Sequence, residues 1–147
     1  MTQPDPALRE AFLTTSYGTA ESRANLSDAP GPAPIWARGR WGIVTAWNPQ
    51  GRAADETANR LAQAKLLAEV QAQGWPRLTG HNGSGEWREQ TLIIQGIQAR
   101  ELSKLGRRCG QAAVLWGWNH RAALLWLDAA KVYAVDRRWV IQASPEL

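Results

Sequence analysis

The sequence predicts an α+β fold of ferredoxin-like order, βαββαβ, with an antiparallel sheet and both helices on one of its faces. Three observations predict it. The apolar run from Trp41 to Trp47 stops abruptly at Asn48-Pro49, as a buried strand does where proline cannot donate to the ladder. Two segments, 55–73 and 98–109, carry apolar residues at helical spacing, and each is followed by a glycine, Gly74 and Gly110. Strand-like stretches lie between and after them, at 75–81, 87–95 and 111–118. The order from residue 41 to 118 is therefore strand, helix, strand, strand, helix, strand, with an expected spatial order of fourth, first, third, second.

Each element has its own local reason. Residues 5–14 form a short helix with Asp5 as N-cap, Pro6 at the first helical position, and Leu8, Phe12 and Leu13 on its apolar side. The segment through Tyr17-Gly18 to Pro30-Gly31-Pro32-Ala33-Pro34 is expected to run as an unpaired extended arm. In the strand from Trp41, the set Ile43, Thr45, Trp47 alternates with Gly42, Val44, Ala46, and both sets are largely apolar, which suits a central position. The helix over 55–73 places Ala58, Leu61, Ala62, Leu66 and Val70 in a stripe, with Asp55 and Glu56 at its positive end. The strands 75–81 and 87–95 flank Asn82-Gly83-Ser84-Gly85 and read as a hairpin. The second helix turns Ala99, Leu102, Leu105 and Cys109 inward and leaves Arg100, Lys104, Arg107 and Arg108 wet. Beyond residue 118, Leu124 to Trp126 and Val132 to Val135 point to strands separated near 128–131, and 139–142 to a last short strand. The whole is expected as a single domain, with an N-terminal helix and proline-rich arm over 1–34, a core over 35–118 and a C-terminal extension over 119–147.

Composition narrows the function classes. With 147 residues, 44% hydrophobic and 20% charged, the chain can bury a core unaided, and no apolar run approaches the roughly 20 residues of a membrane span. No basic region followed by an apolar stretch opens the chain, so the expectation is a cytoplasmic protein without a membrane partner. One cysteine and two histidines make a thiolate or imidazole metal centre unexpected, and no motif calls for a cofactor. Cys109 reads as a buried small apolar residue. Seventeen Lys and Arg against thirteen Asp and Glu give a net charge of +4, a modest excess toward polyanions.

Three functional readings remain. If the strand from Trp41 lies beside that from Gln111, then Asn48, Gln111, Asn59 and Arg52 gather at one end of the sheet, near a helix N-terminus. Such a group can bind a small polar ligand or a protein partner, although amides of this kind also cap helices and loops. This binding module is the leading expectation, ahead of an enzyme. The second reading is a small acid/base enzyme: at the other end His81 would approach Glu86 and Glu89, and a histidine beside carboxylates can serve as a general base with a raised pKa. No Gly-x-Ser-x-Gly or phosphate-loop motif accompanies it, and Ser84 reads as a turn residue. The third is single-stranded nucleic-acid binding, suggested by nine tryptophans and by Arg38-Gly39-Arg40-Trp41 and Arg137-Arg138-Trp139. Against it, Trp47, Trp87, Trp116 and Trp126 sit in strand patterns that belong to a core, and the RNP signature is absent.

The pieces Ile43-Val44-Thr45-Ala46-Trp47-Asn48-Pro49, Asn59, Trp87-Arg88-Glu89-Gln90-Thr91 and Gly110-Gln111-Ala112-Ala113-Val114 together resemble the bacterial DUF3293 family, over about residues 36–118. That family is a domain of unknown function, so no activity comes with the resemblance. It implies that Thr45, Asn48, Asn59, Glu89 and Gln111 occupy recurring positions. The chain departs from the pattern at Cys109, where Phe is expected, and at Thr91, where Ser is expected.

Overall fold

The computed structural model of the protein describes residues 3–143, and eight strands make up its sheet, the four expected core strands and four more from the N- and C-terminal segments. The elements run α1 (Pro6–Thr14), β1 (Ser16–Gly18), β2 (Arg23–Ser27), β3 (Arg40–Val44), α2 (Glu56–Gln73), β4 (Arg77–Asn82), β5 (Glu89–Gln95), α3 (Ala99–Arg108), β6 (Ala113–Trp118), β7 (Arg121–Leu127) and β8 (Val132–Gln142). Short 3-10 turns, Pro49–Gly51 and Gly85–Trp87, interrupt the connections. The helix signals act as the sequence implied. Asp5 and Asp55 side chains accept from the backbone N–H groups of Leu8 and Ala58, and Gly74 ends α2 in a left-handed conformation with φ 74°.

All strand pairs are antiparallel, in the order β1-β2-β8-β7-β6-β3-β5-β4. Within that order β6-β3-β5-β4 follows the expected sequence of fourth, first, third and second strand. The ferredoxin-like class is nevertheless overturned. The outer strands β7, β8, β2 and β1 prolong the sheet until its twist brings β1 round to β4, giving a nearly closed barrel with three helices. At the seam the Gly83 N–H donates to the Ser16 carbonyl (2.9 Å). Arg23 reaches across, its Nη1 donating to the carbonyls of Gly18 and His81 (both 2.8 Å).

The barrel wall separates two apolar cores. Inside lie Tyr17, Trp41, Ile43, Ile93, Leu115, Leu124, Trp126 and Val140, with Leu8, Phe12 and Leu13 of α1 against them. Outside, Leu66 and Val70 of α2 and Leu102 and Leu105 of α3 cover Val44, Leu92, Ile94 and Val114. So α2 and α3 share the outer face as expected, while α1 is applied to the interior side. A Cβ at Gly117 would come within 2.1 Å of the Trp41 ring, so this strand glycine makes room for the largest interior side chain.

The expected unpaired arm is also corrected. Residues 16–27 form β1 and β2, because Pro30, Pro32 and Pro34 all fall in the connection after β2 and leave both strands free to donate. The tail after 118 supplies β7 and the long β8, which absorbs residues 139–142. Residues 1–2 and 144–147, at the ends of the expected 1–34 and 119–147 segments, lie outside the described residues. No helix among the described residues is long and apolar enough to cross a membrane.

Candidate functional site

The polar corner after β3 is built by register. Val44 of β3 stands opposite Leu92 of β5, so the chain that continues through Thr45 to Asn48 runs beside Gln90 and Glu89. The Thr45 hydroxyl donates to the Gln90 carbonyl (2.5 Å) and accepts from the Trp47 N–H (3.0 Å), which turns the backbone inward. Asn48 follows in the left-handed region at φ 47°, a conformation asparagine tolerates better than most residues.

Asn59, in the first turns of α2, holds that corner. Its Oδ1 accepts from the Asn48 N–H (2.9 Å), and its Nδ2 donates to Asn48 Oδ1 (2.9 Å) and to the Ala54 carbonyl (3.4 Å). The Ala54 N–H also donates to Asn48 Oδ1 (2.9 Å). Gln111 Nε2 donates to the Trp47 carbonyl (3.0 Å). The three amides are thus brought together as the sequence suggested, but Asn59 and Gln111 are engaged with the backbone and with Asn48. What projects from the cluster is Asn48 Nδ2, which donates to Glu89 Oε2 (3.3 Å).

Arg52 does not join them: it is exposed, in extended backbone just after the 3-10 turn, and contributes nothing to the cavity wall. The expected opposition of two site ends is corrected as well. Because β3 and β5 are antiparallel, the start of β5 meets the end of β3, so Glu89 belongs to the Asn48 end. His81 does not belong with it. In the β4–β5 ladder Asn82 faces Glu89 and His81 faces Gln90, so the pleat sends His81 and Glu89 to opposite faces. His81 is held below its ordinary pKa by burial, and further by Arg23 and Arg88, the reverse of the raised value a carboxylate neighbour would give. Trp118, Asn119 and His120 lie at the other end of the barrel, where Arg40 pairs with Trp118 and the Asn119 side chain accepts from the Gly39 N–H (2.8 Å).

Around the Asn48–Glu89 pair opens a cavity of about 800 Å³. Leu8, Ala11 and Phe12 of α1 form one wall, Trp47 and Ala54 another, and Tyr17, Ile43 and Leu115 its inner end, while Trp87 stands 84% exposed at the rim. Burial raises the Glu89 carboxyl above its ordinary value, partly offset by the Asn48 bond. Burial also raises the Tyr17 phenol, and the nearby Glu89 charge adds to it. Glu89 makes no ion pair with any described residue.

Several site residues escaped the sequence. Gln63, buried on α2, accepts from the Ala46 N–H (2.9 Å) through Oε1; its signal was an amide beside the apolar stripe of Ala62 and Leu66. The α1 wall had no local signal. Trp87 was expected in the core, but it ends the 3-10 turn Gly85–Trp87 and not a strand, so it is exposed. Cys109 is half-buried, and burial pushes its thiol up to about 11, so it stays protonated at neutral pH. No group of three or more His, Cys, Asp or Glu side chains that could hold a metal ion occurs among the described residues.

Residues 44–114 match the model of the DUF3293 family, described as a protein of unknown function. That stretch holds every residue of the polar corner, Thr45, Asn48, Asn59, Glu89 and Gln111, so the resemblance read from the sequence stands. No curated protein and no solved structure matches the chain.

Proposed function

We propose that this DUF3293 chain is a binding module that seats a small ligand in the cavity at the α1 mouth of the barrel, with Glu89 and Asn48 as its polar anchor. The observation that carries the reading is one half-buried carboxylate, with no ion pair among the described residues, in a cavity walled mostly by apolar side chains. A volume of about 800 Å³ lies within the range of small-molecule sites, roughly 300–1,000 Å³. Only one Glu89 oxygen accepts from Asn48. The other is left for a donor, so the ligand chemistry that fits is an apolar body bearing an amine, amide or hydroxyl. The expected Arg52 contribution has no support in its position. The acid/base alternative with His81 finds none either, since the two side chains lie on opposite faces of the sheet.

Thermal-shift and native mass-spectrometry screening against metabolites and nucleosides tests the reading. Ligands found this way should lose about tenfold or more in affinity with Glu89→Gln, which keeps the volume and removes the charge, given about 1.5–3 kcal/mol for a hydrogen bond to a charged group. Ala11→Trp, at the exposed edge of the α1 wall, should block them sterically. Ligands indifferent to both substitutions would place binding elsewhere and remove this site.

A further inference from the structure

The end of the barrel away from the cavity carries a second, differently built surface. Cross-strand register places Arg40 of β3 opposite Trp118 of β6, Trp118 opposite Arg121 of β7, Arg121 opposite Trp139 of β8, and Trp139 opposite Ser27 of β2. Arginine and tryptophan therefore alternate across four adjacent strands. Their neighbours along the strands, Trp41, Gly117, Ala122 and Val140, are buried in or against the barrel interior. The ladder accordingly points outward. Arg40 and Arg121 are exposed, and Trp118 is 53% exposed.

The rungs touch. The Arg121 guanidinium carbon lies 4.8 Å from the centroid of the Trp139 ring, and the His120 ring lies 4.8 Å from it at a 34° tilt. The next row inward holds Trp116, Ala123 and exposed Arg137. Neither row contains a carboxylate. Asp136, between Arg137 and Val135, turns inward to Arg9 and Trp126, and Asp28 at the margin is taken up by Arg138 (3.3 Å).

We infer that this Arg40–Trp118–Arg121–Trp139 ladder is a stacking platform for single-stranded nucleic acid. The exposed Trp118 ring accepts an unpaired base, while Arg40 and the Arg121 guanidinium, seated on the Trp139 ring, turn their N–H edges to the phosphates. Four strands span roughly 14 Å at the usual interstrand distance, a length that a few nucleotides cover. The platform differs from what the sequence runs suggested. Trp41, in Arg38-Gly39-Arg40-Trp41, is wholly buried in the barrel, so Trp118 of β6 takes its place beside Trp139 of the Arg137-Arg138-Trp139 run.

Fluorescence anisotropy of the full chain with a short fluorescein-labelled oligothymidylate tests this at low salt. Binding is expected, with log Kobs falling against log salt at a slope of about −2 for Arg40, Arg121 and Arg137. Trp118→Ala should weaken it by about tenfold, Lys65→Gln on α2 should leave it unchanged, and a duplex of equal length should bind more weakly. Where Trp118→Ala does not fold, the Arg40→Gln/Arg121→Gln pair, both exposed, carries the test by flattening the slope by about 1.4. No binding at low salt, equal affinity for the duplex, or an equal loss with Lys65→Gln would each overturn the proposal.

Discussion

Glu89 shows how one side chain can join folding to function. Its carboxyl is held above its ordinary value chiefly by burial, so the unfolded chain gives up this proton at a lower pH than the folded one does. Across the window between the two values the native state carries the extra proton, and stability falls as pH rises. Below the window both states are protonated and no penalty exists; above it the penalty is complete. Glu89→Gln should therefore melt higher than the parent at neutral pH, and the difference should close as pH drops toward about 4. Urea titrations of the two proteins across that range measure it, and a difference independent of pH would show that the charge is not what burial penalises. Of this corner, Asn48 and Asn59 were legible in the sequence because a strand stop followed by a helix start fixes them locally, and Gln111 because the expected strand order set its strand beside that of Asn48. Glu89 was recognised as a candidate but assigned to the wrong end, since its place depends on the β3–β5 register, which no short stretch encodes.

Among the elements, α1 has the least visible role in the sequence and a large one in the fold. Its helix is announced by Asp5 and Pro6, yet nothing local says what it covers. In the folded chain Arg9 of α1 donates from Nε and Nη2 to Asp136 of β8, the shortest bond being 2.6 Å, and Asp136 also accepts from Trp126 Nε1 (2.9 Å). Phe12 meets the edge of the Trp126 ring at 5.2 Å, and the Tyr17 hydroxyl donates to the Phe12 carbonyl. These contacts fix α1 over the barrel mouth and so shape the cavity wall. Arg9 holds the Asp136 carboxyl below its ordinary value, which means its stabilisation is present at neutral pH and is lost as pH falls through the lowered value. Asp136→Ala should cost about 2 kcal/mol, the scale of hydrogen bonds to a charged group. It should also raise amide exchange across α1 ahead of β3 and β5. A loss spread evenly over all elements would mean that the pair does not act through α1. By contrast the bounds of α2 and α3 were legible nearly to the residue, because the acidic first turn of α2 and the terminal glycines are local signals. The expected stripe of α2 is corrected: Ala58 and Leu61 are exposed, and Asn59 and Gln63 are buried with Leu66 and Val70.

At the scale of the whole molecule, the step the sequence did not disclose is closure. The order β6-β3-β5-β4 follows from alternating elements with short connections, and a four-stranded sheet would satisfy those signals equally well. Closure depends on β1 and β4, sixty or so residues apart, coming edge to edge, and its determinants are small or single residues that carry no periodic signal. Gly80 is one: a Cβ there would lie 2.7 Å from the Gly18 carbonyl oxygen, a backbone atom that cannot move aside cheaply. Arg23 is the other, since its Nη2 also donates to Ser16 Oγ (2.9 Å) and to the Gly83 carbonyl (3.3 Å), on both sides of the seam. These bonds satisfy carbonyls on strand edges that would otherwise face water or another chain. Arg23→Ala should therefore cost about 2–3 kcal/mol and release the Gly83 amide, bonded across the seam to Ser16, to fast exchange. Gly80→Val, which obstructs the same seam from the other side, should release that amide as well. Neither change touches α2 or α3, so amides of those helices should keep their protection except through global unfolding. If both variants lost stability while the Gly83 amide stayed as protected as the helices, the seam would have to open only with the whole fold, making closure part of one cooperative unit and not a separable contact between two edges.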